Sequence, residues 1–216
     1  MSNFKKILQK YFKKIGYFLF KILYGKINGV VLAENEEGIK VHSIKKDDKF
    51  IYKIYELDNG RLYTDSVSDT AIIKKKKIVK GPSFQFRATN SAVINVSPEE
   101  NLAFLNGTPR LQKKIEGKVL SLLTGGAGKE NYWHWMFDVL PRLGIFEDII
   151  NLESIDFFLL PDNKKKFQLE TLEILKIPKS KQISSVEYRH ILTKNLYATS
   201  HPVVLTDNST DSMLKI

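Results

Sequence analysis

From residue 119 onward, apolar runs and helical periods alternate, and that alternation constrains the fold more than any other feature. Residues 119–124 form a compact apolar run, residues 125–128 read Gly-Gly-Ala-Gly, and residues 130–150 carry a helical pattern. A second apolar run at 155–160 closes on Pro161-Asp162, a second helical stretch follows at 164–176, and further strand candidates lie at 183–186 and 191–198. Strand, helix and strand in succession predict an α/β unit with parallel strands, because a strand rejoins its neighbour in the same direction only through a crossover. The expected fold class is α/β, with a Rossmann-like, doubly wound parallel sheet over 111–216. In such sheets ligands sit beyond the carboxyl ends of the strands. The glycine loop and the residues directly behind it are therefore the place to look for a site.

The front of the chain follows other rules. Over 30–110 the runs are short and β-branched or alternating, at 38–44, 50–57, 71–79 and 84–94, with turn signals at Asp58-Asn59-Gly60 and Gly81-Pro82. This predicts a small antiparallel, β-rich region. The run of lysines from Lys74 to Lys77 reads as a solvated edge strand, protected by charge from pairing with another sheet. Residues 1–29 form a third unit. Phe4, Ile7, Leu8, Tyr11, Phe12, Ile15, Phe18, Leu19, Ile22 and Leu23 recur at helical spacing, with Lys5, Lys6, Lys10, Lys13 and Lys14 on the other side. The longest uninterrupted apolar run, 15–20, falls far short of the roughly 20 residues a bilayer crossing needs. A basic amphipathic helix of this kind suits the surface of an anionic membrane, contacted through residues 4–24.

The formal net charge of +10 does not mark a nucleic-acid protein once its distribution is counted. Residues 1–30 hold seven lysines and no acid, whereas the remaining chain carries 27 basic against 24 acidic residues. The excess belongs to the helix and not to a basic groove. Five of the 34 basic residues are arginine, the residue that bidentate reading of phosphate and guanine favours. No nucleic-acid partner is expected. At 216 residues and 43% hydrophobic, the chain can bury a sizeable core. The absence of cysteine excludes a disulfide scaffold, a thiolate metal site and a cysteine nucleophile, and fits a reducing compartment.

Chemistry concentrates in Asn131-Tyr-Trp-His-Trp-Met-Phe-Asp-Val-Leu-Pro-Arg142, which holds both tryptophans of the chain. On a helix, Asn131, His134, Asp138 and Arg142 share one face, so that Asp138 reaches His134 and Arg142. A carboxylate one turn from an imidazole fixes its tautomer and raises its basicity, which is how a general base is oriented. Pro141 is expected to kink or end the first part of the helix, taking Arg142 off the shared face. Trp133 or Trp135 is suited to stacking on the apolar face of a sugar, with the other packed into the core. Gly126 and Gly128 let a substrate approach the backbone. The loop nevertheless lacks the Walker pattern, with Leu123 and Glu130 at the diagnostic positions, and the third small residue of a dinucleotide fingerprint, where Asn131 stands. Arg189-His190 and His201-Pro202 read as surface or turn positions. Asp207 and Asp211 match neither a calcium loop nor a metal-diphosphate pair, so no metal and no cofactor are expected.

The run from Asn131 through Trp135 and Asp138 to Pro141-Arg142-Leu143 resembles the signature segment at the start of the catalytic region in glycosyltransferase family 61. That resemblance is dense over 120–146. It implies half of a GT-B-like enzyme of two facing α/β lobes, the C-terminal lobe holding a nucleotide-sugar donor. That lobe's signatures do not occur between 150 and 216, so the resemblance implies an N-terminal, acceptor-side part, incomplete towards the C-terminus. It further implies inverting transfer to a hydroxyl of a cell-surface glycan or capsular polysaccharide. His134 with Asp138 would activate the acceptor hydroxyl. Asn131 would hydrogen-bond the acceptor, and Gly126, Gly128, Trp133, Trp135 and Arg142 would line its site. With the basic helix added, the expected setting is the inner face of the cell membrane. The alternative is a non-catalytic module that binds glycan or membrane.

Overall fold

The computed structural model describes residues 3–47, 50–88, 93–124 and 128–202. Gly126 of the glycine loop and the tail carrying Asp207 and Asp211 lie outside them. The chain opens with the amphipathic helix α1 (Asn3–Tyr24). There follow β1 (Gly29–Leu32), β2 (Ile39–Asp47), β3 (Phe50–Asp58), β4 (Arg61–Thr64), β5 (Asp69–Lys74), β6 (Lys77–Lys80), β7 (Phe84–Ala88), β8 (Val93–Asn95) and a one-turn helix α2 (Leu102–Asn106). The second half runs through β9 (Lys113–Ser121), α3 (Tyr132–His134), a π-helical turn (Trp135–Val139), α4 (Pro141–Glu147), β10 (Phe157–Leu160), α5 (Lys166–Ile174), β11 (Gln182–Ser184) and β12 (His190–Thr199).

The protein is α/β, as its alternation requires, but among the described residues its two β regions are one hydrogen-bonded sheet of twelve strands. β12 joins them. It runs parallel to β9 on one side, and on the other it pairs antiparallel with β3 and β4. Its inward residues Ile191, Leu196 and Ala198 are buried, which is why a run that reads as one more parallel strand also seals the antiparallel half. β9, β10 and β11 are parallel neighbours in chain order, linked by α3–α4 and then by α5. The strand order reverses at β9, since β10 and β11 are added on one side of it and β12 on the other.

The expectation of a doubly wound sheet needs correction. Trp135, Val139, Leu143 and Phe146 share one core cluster with Leu172 of α5 and with Leu120, Leu122, Phe158 and Leu160. Side chains alternate along a strand, and Val119, Leu123, Leu159 and Ile183 accordingly join Leu57, Leu62 and Leu196 in a second cluster on the opposite face. The crossover helices thus cover one face. Successive right-handed crossovers that advance in one direction place their helices on the same side, and no helix lies between β11 and β12 to cover the other.

The lysine run is also not an edge strand. The apolar stretch over 71–79 divides into β5 and β6, with Lys74 paired opposite Lys77 and Lys75 at φ 55 in the left-handed region. The four lysines form the tip of a hairpin. Glu36 pairs with Lys75 at 3.1 Å and Lys77 at 2.9 Å, and these two ammonium groups hold its carboxyl below its ordinary range.

α1 touches the body along a narrow stripe. Gly16, Tyr17, Phe20, Lys21 and Tyr24 are half-buried, whereas every described side chain from Ile7 to Ile15 is exposed. Phe12 and Ile22 are each 68% exposed and Phe18 64%. The last turn is clamped by a buried network. Arg61 Nε donates to His190 Nε2 at 2.8 Å, Gln112 Nε2 lies 3.0 Å from the same nitrogen, and His190 Nδ1 donates to the Arg110 carbonyl at 2.8 Å. Arg61 also donates to Thr108 Oγ1 and to the Tyr24 carbonyl. The Gln112 amide donates to Tyr24 Oη, and the Tyr24 ring meets His190 edge-on at 4.7 Å. His190 is buried, against its reading as a surface residue. Its burial, reinforced by the charge of Arg61, lowers its pKa to about 4, so the ring is neutral and its Nε2 is free to accept.

Candidate functional site

The strand–turn–helix segment begins where β9 ends. Gly128 has φ +80, and a Cβ there would lie 2.5 Å from Val139 Cγ2. Glycine therefore lets the loop pack directly against the π-helical turn. The buried Gln168 of α5 donates to the carbonyls of Gly128 and Lys129 at 2.9 and 3.1 Å. Asn131 caps the helix, its Oδ1 accepting from the amides of Trp133 and His134. This satisfies donors that a helix start leaves unpaired.

The π-helical turn is the local answer to Pro141. Proline has no amide hydrogen and crowds the carbonyl one turn back. The amide of Leu140 instead reaches the carbonyl of Trp135, five residues earlier, at 3.0 Å, and Pro141 starts α4 as its first residue. Such single π turns are frequent at functional sites.

Within this turn the spacing of four keeps His134 and Asp138 together. His134 Nδ1 donates to Asp138 Oδ2 at 2.6 Å, with the imidazole 45% exposed and the carboxylate 13%. That bond fixes the tautomer, leaving Nε2 as the acceptor on the outer side of the ring. Asp138 Oδ1 faces a second imidazole, His201 Nε2, at 3.8 Å. His201 stands two residues past the end of β12, flanked edge-on by Phe84 and Phe86 at 5.8 and 6.1 Å. One carboxylate thus lies between two histidines at the carboxyl ends of β9 and β12, where the strand order reverses. Ligands of open α/β sheets sit at such a point.

The remaining predicted residues divide. Trp133 is exposed and packs on Phe137 with ring centroids 4.2 Å apart, forming an aromatic surface beside His134. Trp135 is fully buried, its indole N–H donating to Thr171 Oγ1 at 2.8 Å, so it is the tryptophan of the core. Arg142 does not touch the Asp138 carboxylate in the way helical spacing predicts. The π turn rotates it inward, where its Nε donates to the main-chain oxygen of Asp138 at 2.9 Å and its Nη1 to Thr199 O and Oγ1 at 3.2 and 3.1 Å. Its guanidinium stacks over Phe84 at 4.9 Å, and Nη2 has no partner among the described residues. Full burial lowers its pKa to about 9, opposed by the charge of Asp138.

His201 is the residue that reading the sequence missed, since it lies 63 positions from Asp138 and beside a proline in a turn-like setting. The rule that directs attention to the glycine loop, that sites lie past the carboxyl ends of parallel strands, applies equally to the end of the last strand run at 191–198. Among the described residues, no cluster of three or more histidine and acidic side chains has the geometry to hold a metal ion, and no helix is long and apolar enough to cross a membrane.

Fold and site together define an α/β protein with a histidine–aspartate pair at the reversal of its parallel strands. No protein-family model, no curated protein and no solved structure matches this chain.

Proposed function

We propose that this chain is a membrane-peripheral glycosyltransferase of the family 61 type, with its acceptor at the histidine–aspartate pair. It would move a sugar from a nucleotide-sugar donor to a hydroxyl of a surface glycan or capsular polysaccharide. The observation that carries this reading is the His134–Asp138 pair. A tautomer-locked imidazole, open on its Nε2 side and placed at the reversal of a parallel sheet, is what activating a hydroxyl requires. In the transfer, His134 Nε2 takes the acceptor's proton as the oxygen attacks the anomeric carbon. Asp138 stabilises the imidazolium that results, and the bond to the nucleoside diphosphate breaks with its electron pair leaving on the diphosphate. The Trp133–Phe137 surface stacks on a sugar ring next to the reacting hydroxyl.

The surroundings of α1 support a peripheral setting on the inner face of the membrane. Its exposed apolar row and its lysines match an anionic interface, where each basic residue adds about 1 kcal/mol. A second reading, a non-catalytic glycan- or membrane-binding module, is favoured by the structural duties of Asn131, Trp135 and Arg142. Incubating the protein with a panel of sugar nucleotides and membrane-derived glycans, and measuring nucleoside diphosphate released, separates the two. Acceptor-dependent release supports the transferase, while its absence across the panel with glycan or vesicle binding intact supports the module.

A further inference from the structure

A polar cleft opens beside His201, and the reading from sequence assigned nothing to it. It encloses about 850 Å³ between β3, the β6–β7 turn, β7, β8 and the residues after β12. That volume lies within the 300–1,000 Å³ range of small-molecule sites. Its walls carry hydroxyls and amides from Ser83, Gln85, Asn95, Ser97 and Ser200, with the Phe84 ring among them and His201 at one end.

The charges exclude a site built for a diphosphate. Lys53 is engaged by Glu34 at 2.7 Å, and Glu99 on the rim opposes Lys80. What remains is a set of neutral donors and acceptors held in fixed positions. Gln85 Nε2 spends both its donors on Asn95 Oδ1 and Val96 O at 3.1 and 2.6 Å, fixing Asn95, and Ser200 Oγ accepts from the Lys53 amide at 3.1 Å. A hydroxyl that accepts one bond can still donate. Neutral hydrogen-bonding groups match the hydroxyls of a carbohydrate.

We propose that this cleft binds a neutral oligosaccharide, and that its His201 end brings the bound chain up to the carboxylate shared with His134. The first half stands without the transferase reading, and the second half rests on it. His201 is a positioning residue here, forming the cleft wall and facing Asp138 Oδ1.

The test is a calorimetric and NMR titration of the full chain with cellotetraose, chitotetraose and maltotetraose, with uridine diphosphate as the competitor. At least one oligosaccharide is expected to bind without competition from the nucleotide. Ser97→Trp, which fills the exposed mouth, should weaken that binding at least tenfold, with Glu99→Trp as a second block should the first variant fold poorly. Ile174→Ala, on the exposed face of α5 away from both the cleft and His134, should leave it unchanged. Failure of all three oligosaccharides to bind overturns the proposal, as does binding that survives both blocks. A protein that binds in the cleft but releases no nucleoside diphosphate from any donor keeps the cleft and loses the transferase. Turnover with no cleft binding does the reverse.

Discussion

Two histidine centres stand at opposite ends of β12, and they are built to opposite ends. At its start, His190 is enclosed, both ring nitrogens are bonded, and the neighbours on Nε2 are the donors Arg61 and Gln112. Protonation there would set a donor against donors. Past its far end, His201 and His134 flank one carboxylate, and His134 keeps one nitrogen turned outward on a ring 45% exposed. The first centre can only hold parts together, whereas the second can exchange a proton with something that arrives. Burial and completeness of hydrogen bonding, more than residue type, separate a structural histidine from a reactive one.

Removing His190 should weaken the closed centre most. His190→Ala leaves Arg61 Nε buried without its acceptor and opens a cavity beneath Tyr24, which should cost about 3 kcal/mol. The melting temperature should fall by roughly 6–12 °C, measurable by circular dichroism. Unchanged melting would mean that the centre holds nothing.

Acid should act on the same centre without mutation. His190 has a folded pKa of about 4, below the ordinary value near 6.5, so the unfolded chain binds a proton before the folded one does. Its contribution to stability is whole above pH 6.5, declines as pH falls from 6.5 to 4, and does not decline further below that. A loss of about 1–3 kcal/mol over this window is expected. Denaturant midpoints measured across it should fall in the wild type and stay flatter in His190→Gln.

Smaller effects sharpen the picture at the open centre and at α1. Asn131→Ala removes a cap and should cost about 1 kcal/mol, read as a shift in urea midpoint. Substituting Phe18 and Ile22 together by serine, both exposed, should leave the melting temperature within about 2 °C, since surface changes are usually worth under 0.5 kcal/mol. The same pair should weaken co-sedimentation with anionic vesicles at least tenfold, because two large apolar side chains contribute roughly 1.5–3 kcal/mol each. Equal binding of the variant would detach α1 from any membrane role.

Much of this layout was legible before the structure. The helical spacing of Ile7 to Leu23, the strands at 38–44 and 50–57, and the succession of strand and helix within 119–150 are local patterns, carried by neighbours in sequence. The His134–Asp138 contact was legible because a spacing of four is itself local geometry. What escaped depends on distant pairing or on small departures from ideal helix. β12 reads as one more strand, and nothing in residues 191–198 says that it joins β9 to β3 and β4. Arg142 shares a face with Asp138 only in an ideal helix, and the π turn forced by Pro141 sends it inward. Trp133 and Trp135 stand two apart and could not be separated into surface and core until Thr171 and the sheet were in place. His190 and His201 both sit at strand ends beside polar residues, and only the fold buries one and aims the other at Asp138.

On the proposed reading the open centre works on a substrate while the closed one supports the fold. Its most direct test is nucleoside diphosphate release by His134→Ala and by His190→Ala, each normalised to the folded fraction of the sample. The expected result is a loss of about 10²–10⁴-fold for His134→Ala and a rate within about threefold of wild type for His190→Ala, since the loss of its hydrogen bonds lowers the amount of folded protein and not the chemistry of what remains. Full turnover per folded molecule in His134→Ala would contradict the account.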